Sequence, residues 1–181
     1  MPDKANALSR DERAARILAW CQARDIKIAC AESLTGGLLA DAFVRIPGAS
    51  RVFLGSAVTY DIAAKASILG VDRSLLEREG AVHPEVARQM ARNTARLYTQ
   101  PAYCGVIGLS TTGVAGPGPD GDKPAGLVYV GVSIPAIAAP SGTDLCAAYE
   151  LRLHGSREDV RELTVLRLME IVSQLTVDSQ E

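Results

Sequence analysis

Through the first half of this chain, segments with helical spacing alternate with short apolar segments that read as strands. In the second half, strand-like segments follow one another with no helix between them. That order is the pattern of a three-layer α/β/α fold on a mixed sheet. Residues 10–22 place Ala14, Ile17, Leu18 and Cys21 at helical spacing, and residues 27–31, "KIACA", form a short apolar strand. Helical spacing resumes over residues 35–46 through Leu38, Ala42 and Phe43, until Pro47-Gly48 stops it. Residues 50–60 are rich in strand formers, and residues 62–70 read as a short helix closed by Gly70.

The clearest amphipathic helix spans residues 82–98, with Pro84 in its first turn and Val86, Met90, Thr94 and Leu97 expected on one face. Strands are expected within residues 102–113, 127–135 and 144–155, then a helix over residues 156–175 with Ser156 as N-cap. With 181 residues, no internal repeat and no low-complexity linker, the chain reads as one domain able to bury roughly 70% of its unfolded surface. Residues 1–9 and 176–181 are expected to be flexible ends.

Composition excludes several classes of function. A net charge of -2 leaves no basic excess for a phosphate backbone, and 4% aromatic residues leave few rings to stack on bases, so nucleic acid is not an expected partner. The sequence holds no apolar run of membrane-spanning length, and its charged N-terminus does not resemble a signal peptide. A cytoplasmic protein with no membrane partner is expected. Cys21, Cys30, Cys104 and Cys146 form no CxxC pair, and His83 and His154 lie far apart. The expectation is reduced core thiols, no metal site and no cofactor.

Three polar segments fall where strands should end, the places where open α/β sheets collect ligands. In "AESLTGG" (31–37), Ser33 or Thr35 could cap the following helix, or Ser33 could be a nucleophile at its N-terminus. In "TYDIAAK" (59–65), Lys65 could be an ordinary lysine reaching solvent, or a desolvated one able to take a proton from a serine, with Tyr60 nearby. The third segment, residues 111–126, carries Gly113, Gly116, Gly118, Gly121 and Gly126 among Pro117, Pro119 and Pro124. Glycine allows close backbone approach to a ligand and proline stiffens the loop. Neither a phosphate-binding GK[ST] nor a dinucleotide fingerprint is present, because a strand follows rather than a helix.

Taken in order, "AESLTGGLLA", "VTYDIAAKASILGV", "GAVHPEVARQMA", "TTGVAGPGPDGDKPAGLVYVGV" and "HGSREDVRELTV" resemble the CinA C-terminal-domain family, over residues 12–175. The characterised members of that family are nicotinamide-nucleotide amidases. The resemblance implies metal-free hydrolysis of nicotinamide mononucleotide to nicotinic acid mononucleotide and ammonia, in pyridine nucleotide salvage. It implies Ser33 as nucleophile, Lys65 as general base, Tyr60 shaping the pocket, and Thr112 contacting substrate or orienting the pair. Backbone amides around Thr35, Gly36 and Gly37 are candidates for an oxyanion hole, and Gly113, Gly116, Gly118, Lys123 and Arg161 for the rest of the substrate, its phosphate included. A homo-oligomer, in particular a dimer, is also implied. Leu34 replaces a usual cysteine, Asp61-Ile62 a usual serine-asparagine pair, and His83 a usual serine cap. The altered Asp61-Ile62 pair keeps a second reading open, a non-catalytic nucleotide-binding or regulatory protein on the same scaffold.

Overall fold

The computed structural model describes residues 8–178. Five strands, β1 (Ile26–Glu32), β2 (Phe53–Val58), β3 (Gly105–Gly113), β4 (Leu127–Ile134) and β5 (Leu145–Arg152), form one sheet in the order β2-β1-β3-β4-β5. β1 pairs in parallel with both β2 and β3, while β4 runs antiparallel to β3 and β5. β1, β2, β3 and β5 therefore all end at the same edge of the sheet. The mixed α/β/α architecture expected from the sequence is the one observed.

Helices α1 (Arg10–Gln22), α2 (Leu38–Val44) and α6 (Arg157–Leu175) cover one face, around Ile17, Phe43, Ile28, Leu109 and Leu168. Helices α3 (Ile62–Leu69), α4 (Arg73–Glu79) and α5 (Pro84–Tyr98) cover the other, around Leu69, Leu75, Val86, Met90 and the β1 residue Ala31. β1 is buried almost throughout because helices lie on both sides of it, which is why it reads as a continuous apolar run. α5 sits unusually close to the sheet. A Cβ on Gly108 of β3 would collide with the Ala91 carbonyl, and one on Gly131 of β4 with the Ala87 carbonyl. The Ala87 carbonyl instead accepts a 2.6 Å hydrogen bond from the Ser110 hydroxyl.

The structure differs from expectation in several local features. α2 begins at Leu38, not Thr35, because Gly36 (φ 55°) and Gly37 (φ 106°) take left-handed conformations that keep residues 33–37 in a turn. α4 was not anticipated, although Asp72 caps it at the Leu75 amide and Gly80 ends it; seven residues are too few to show a helical period. Leu97 is 53% exposed, off the buried face of Val86, Met90 and Thr94. Of the four thiols, Cys21 and Cys30 are core residues, but Cys104 is exposed and Cys146 half-buried. Of the expected flexible ends, residues 1–7 and 179–181 lie outside the described residues. Within them Ser9 forms a reciprocal capping box with Glu12, and Thr176 is buried with its hydroxyl donating to the Val172 carbonyl. No helix among the described residues is long and apolar enough to cross a membrane.

Candidate active site

The shared edge where four strands end gathers the polar segments. β1 runs into Glu32 and Ser33, β2 into Thr59 and Tyr60, β3 into Thr112 and Gly113, and β5 leads to the N-terminus of α6. Lys65 lies one turn into α3, whose N-cap Asp61 accepts a hydrogen bond from the Ala64 amide. The helix axis carries the Lys65 side chain back under the β2 strand end.

Lys65 is fully buried, so the solvated reading of this lysine is overturned. Its Nζ donates to the Thr59 carbonyl at 2.5 Å, the Tyr60 carbonyl at 3.4 Å and Ser33 Oγ at 3.0 Å. Among the described residues no carboxylate hydrogen-bonds to the amine. Burial lowers its pKa from 10.5 to about 8, partly opposed by the negative charge of Asp61. Once neutral, the amine still has two N–H groups for the two carbonyls and a lone pair free for the Ser33 hydroxyl. The same three contacts thus serve either protonation state, and only the direction of the serine–lysine bond reverses.

Ser33 is 7% exposed and sits in the turn between β1 and α2. What holds that turn is Glu32, a fully buried carboxylate that the sequence reading passed over. Its oxygens accept from the amides of Gly37 (2.9 Å), Leu39 (3.0 Å) and Ala40 (3.0 Å), and from the hydroxyls of Thr35 (2.7 Å) and Ser56 (2.8 Å). The N-terminus of α2 is thereby capped from the preceding strand, so neither Ser33 nor Thr35 acts as its cap. From the other side Arg161 donates to the carbonyls of Leu34 (3.0 Å) and Thr35 (3.1 Å) while pairing with Glu158 at 2.6 Å. A strand-to-helix turn fixed on both sides leaves the serine hydroxyl little freedom.

Two adjoining cavities open at this edge. One, of about 480 Å³, is lined by Ser33, Tyr60, Asp61, Ile62, Val82 and Thr112 among others. The second, of about 290 Å³, is walled by the glycine loop from Gly113 to Asp120, with Tyr60, Leu34 and Arg157. Tyr60, Gly113 and Asp120 border both. The structure therefore brings Ser33, Tyr60, Thr112, Gly113, Gly116 and Gly118 together around one composite space, with Lys65 buried behind Ser33. Thr112 Oγ1 donates to the Ala81 carbonyl at 2.7 Å, which fixes its rotamer.

Other expected residues fall elsewhere. Thr35 is fully buried against Glu32 and Thr111, the Gly36 amide donates to the Ser33 carbonyl, and the Gly37 amide donates to Glu32. The Gly36 and Gly37 amides are engaged inside the turn and are not offered to an oxyanion. Arg161 is spent on the turn carbonyls, and the Lys123 ammonium lies 3.5 Å from Asp122, so neither lines the two cavities. The cation that does is Arg157, which donates to the Gly116 carbonyl at 2.6 Å and to Tyr60 Oη at 3.1 Å. It stands at the first position of α6, and spacing alone could not separate it from Arg161 one turn later. Only the strand direction of β5 puts it beside the loop.

A mixed-sheet α/β protein with a buried serine–lysine pair at its strand ends is what fold and site define. Residues 10–176 match the family model described as the CinA C-terminal domain, and the chain belongs to that family. A relative in Caldanaerobacter subterraneus, whose name refers to competence-damage induction, is 40% identical over 167 residues, 92% of this chain and 37% of its own length. A CinA-like protein of Frankia casuarinae is 41% identical over 153 residues, 84% of this chain and 32% of its own. This chain spans about a third of the length of these relatives. Among solved structures, a competence/damage inducible protein from Agrobacterium tumefaciens superposes with TM-score 0.80 at 29% identity, covering 95% of this chain and 96% of that one. A CinA superfamily protein from Escherichia coli gives TM-score 0.76 at 26% identity, with 93% of each chain covered.

Proposed function

We propose that this protein is an amidohydrolase that converts nicotinamide mononucleotide to nicotinic acid mononucleotide and ammonia. The observation that carries the reading is the 3.0 Å approach of a fully buried lysine amine, with its pKa lowered to about 8, to the Ser33 hydroxyl. Amide hydrolysis needs an activated nucleophile and a proton for the departing amine, and one neutral lysine supplies both in turn. Ser33 Oγ attacks the carboxamide carbon as Lys65 takes its proton. The tetrahedral intermediate collapses as Lys65 returns that proton to the leaving nitrogen, releasing ammonia and leaving an acyl ester on Ser33. Water, deprotonated by the same amine, then cleaves the ester and restores the serine. The second cavity, with Arg157 and the positive-φ glycines Gly116 and Gly118, suits the phosphate end of such a substrate.

The substrate itself comes from the resemblance to the amidase family. The test is ammonia release by the purified protein with nicotinamide mononucleotide, NAD and nicotinamide side by side. Release from the mononucleotide alone, abolished in Ser33→Ala with binding retained, is the expected result. Tight binding of the mononucleotide by the wild type with no ammonia would instead favour a nucleotide-binding role. Normal turnover by Ser33→Ala would remove Ser33 as nucleophile.

A further inference from the structure

We infer that the β2 edge of the sheet is an interface between two copies of this chain, paired antiparallel about a two-fold axis at Ser56, with Arg51 of each copy meeting Asp61 of the other at the mouth of its Ser33 cavity. The inference does not depend on the amidase reading. β2 is an edge strand whose single neighbour is β1. Yet Phe53–Val58 carries none of the charged or proline residues that keep an open edge from pairing. The other edge is protected in that way, since Glu150 and Arg152 stand exposed on β5 as a 2.7 Å ion pair.

Exposed apolar surface gathers at the β2 edge. Among the described residues every large apolar side chain that is exposed, except Ile137, belongs to β2, its C-terminal extension or a flanking helix. Val44 ends α2 and lines an apolar groove of about 360 Å³ together with Phe53 of β2. Val58 ends β2 itself, and Leu97 precedes Tyr98, whose ring lies against Gly55. On the opposite face α3 packs with β2 through Ala66 and Ala57. The one charged side chain of α3, Lys65, is buried, so its outward face is Ile62, Ala63, Ser67 and Ile68. A helix that turns an apolar face to water beside an unpaired strand is a surface built for a partner.

Charge and backbone register select a second copy as that partner. The Thr59 amide donates to the Glu32 carbonyl of β1. By strand alternation Ala57 also turns its backbone inward, and Ser56 and Val58 turn theirs to the open edge. An antiparallel pair centred on Ser56 sets that residue opposite its own counterpart. The extra residue at Leu54, where Ile28 pairs with Phe53 and Ala29 with Gly55, keeps the pairing short, so the flanking helices supply most of the burial. Arg51 precedes the strand and Asp61 follows it, equally far along the chain from Ser56. The two-fold therefore brings each Arg51 to the partner's Asp61, twice per dimer. Both are exposed and neither forms an ion pair within its own chain among the described residues; one Asp61 oxygen accepts from the Ala64 amide and the other is open. Asp61 and Tyr60 line the cavity in front of Ser33, so each site is bordered by the other copy's Arg51.

Sedimentation velocity of the full chain at micromolar concentration is expected to give twice the mass of one chain. Val58→Lys puts a charge on the pairing edge and Ile68→Glu one on the outward face of α3. Each acts twice in a symmetric interface and should weaken association at least roughly tenfold. Both positions are exposed, and circular dichroism melts check that each variant folds; if one does not, the other carries the test. Ile137→Glu, exposed on a loop away from β2, should leave the mass unchanged. For the register, Arg51→Glu sets two carboxylates against two others and should weaken the dimer roughly tenfold. Asp61→Asn, which keeps the α3 cap, should recover most of that loss in the double variant. A monomer at every concentration, the result if the patch serves a different protein, would overturn the inference, as would a dimer indifferent to both Val58→Lys and Ile68→Glu. If those two dissociate the dimer but Asp61→Asn recovers nothing in Arg51→Glu, the register is wrong and the contribution of Arg51 to the partner's site falls.

Discussion

Replacing Lys65 by methionine isolates the energetic consequence of burying an amine beside Ser33. The unfolded lysine titrates near 10.5 and the folded one near 8, so between those values the unfolded chain holds the extra proton. Stability therefore rises with pH across that window, and the penalty for the buried amine is fully present below pH 8. The shift corresponds to about 3 kcal/mol at pH 7 and about 2 kcal/mol at pH 9. Urea unfolding of wild type and Lys65→Met at both pH values should show the wild type gaining about 1 kcal/mol on the variant between pH 7 and pH 9. The absolute offset between the two proteins also contains the lost hydrogen bonds to the Thr59 and Tyr60 carbonyls, but those do not vary with pH. The buried thiols of Cys21 and Cys30, both pushed up by burial, act in the opposite direction at alkaline pH and cancel in the comparison. Parallel curves, with no divergence between the two pH values, would refute the claim that Lys65 is held in a site that disfavours its charge.

The same titration predicts that kcat/KM for ammonia release rises about tenfold per pH unit below pH 8 and levels off above it; a flat profile from pH 6 to 9 would argue against Lys65 as the base. Glu32→Gln places an amide donor among the donors that now meet a carboxylate, and should cost about 3 kcal/mol in urea unfolding, whereas Asp41→Asn on the exposed face of α2 should cost under about 0.5 kcal/mol. Gly108→Ala should cost about 4 kcal/mol or prevent folding, because its Cβ meets backbone that cannot rotate away, while Ala148→Gly in β5 should be far milder; thermal melts followed by circular dichroism compare them.

The layers were legible in the sequence because periodicity reports burial on helices and strands long enough to show it. α5 and β1 are examples, each with an apolar pattern that matches the faces it buries. α4 is too short to show a period, and Leu97 satisfied helical spacing while facing solvent, since the far end of α5 turns Ala95 and Tyr98 toward the sheet instead. At the site, the residues that stand at strand ends, Ser33, Tyr60 and Thr112, could be found from the order of segments. Those whose roles depend on three-dimensional register could not. Glu32 looked like a polar residue after a strand, and only the backward fold of α2 over β1 makes it the cap of that helix. Arg157 and Arg161 share a helix face, and the local chain carries no signal for which one meets the loop and which one holds the turn.

The strand that follows the glycine loop runs antiparallel to β3, and this sets how the protein can diversify. A parallel successor would have required a crossover helix, with the connection committed to covering the sheet. Because β4 instead doubles back, residues 117–125 form a mostly exposed arch, beyond the buried Val114 and Ala115 and the Gly116 carbonyl held by Arg157, and its feet lead into neighbouring strands in register. Its span can lengthen, shorten or change sequence without disturbing either helical layer. Ser33 and Lys65, the nucleophile and base of the proposed reaction, belong to the rigid frame, so under that proposal substrate range and reaction chemistry can drift on separate parts of one chain.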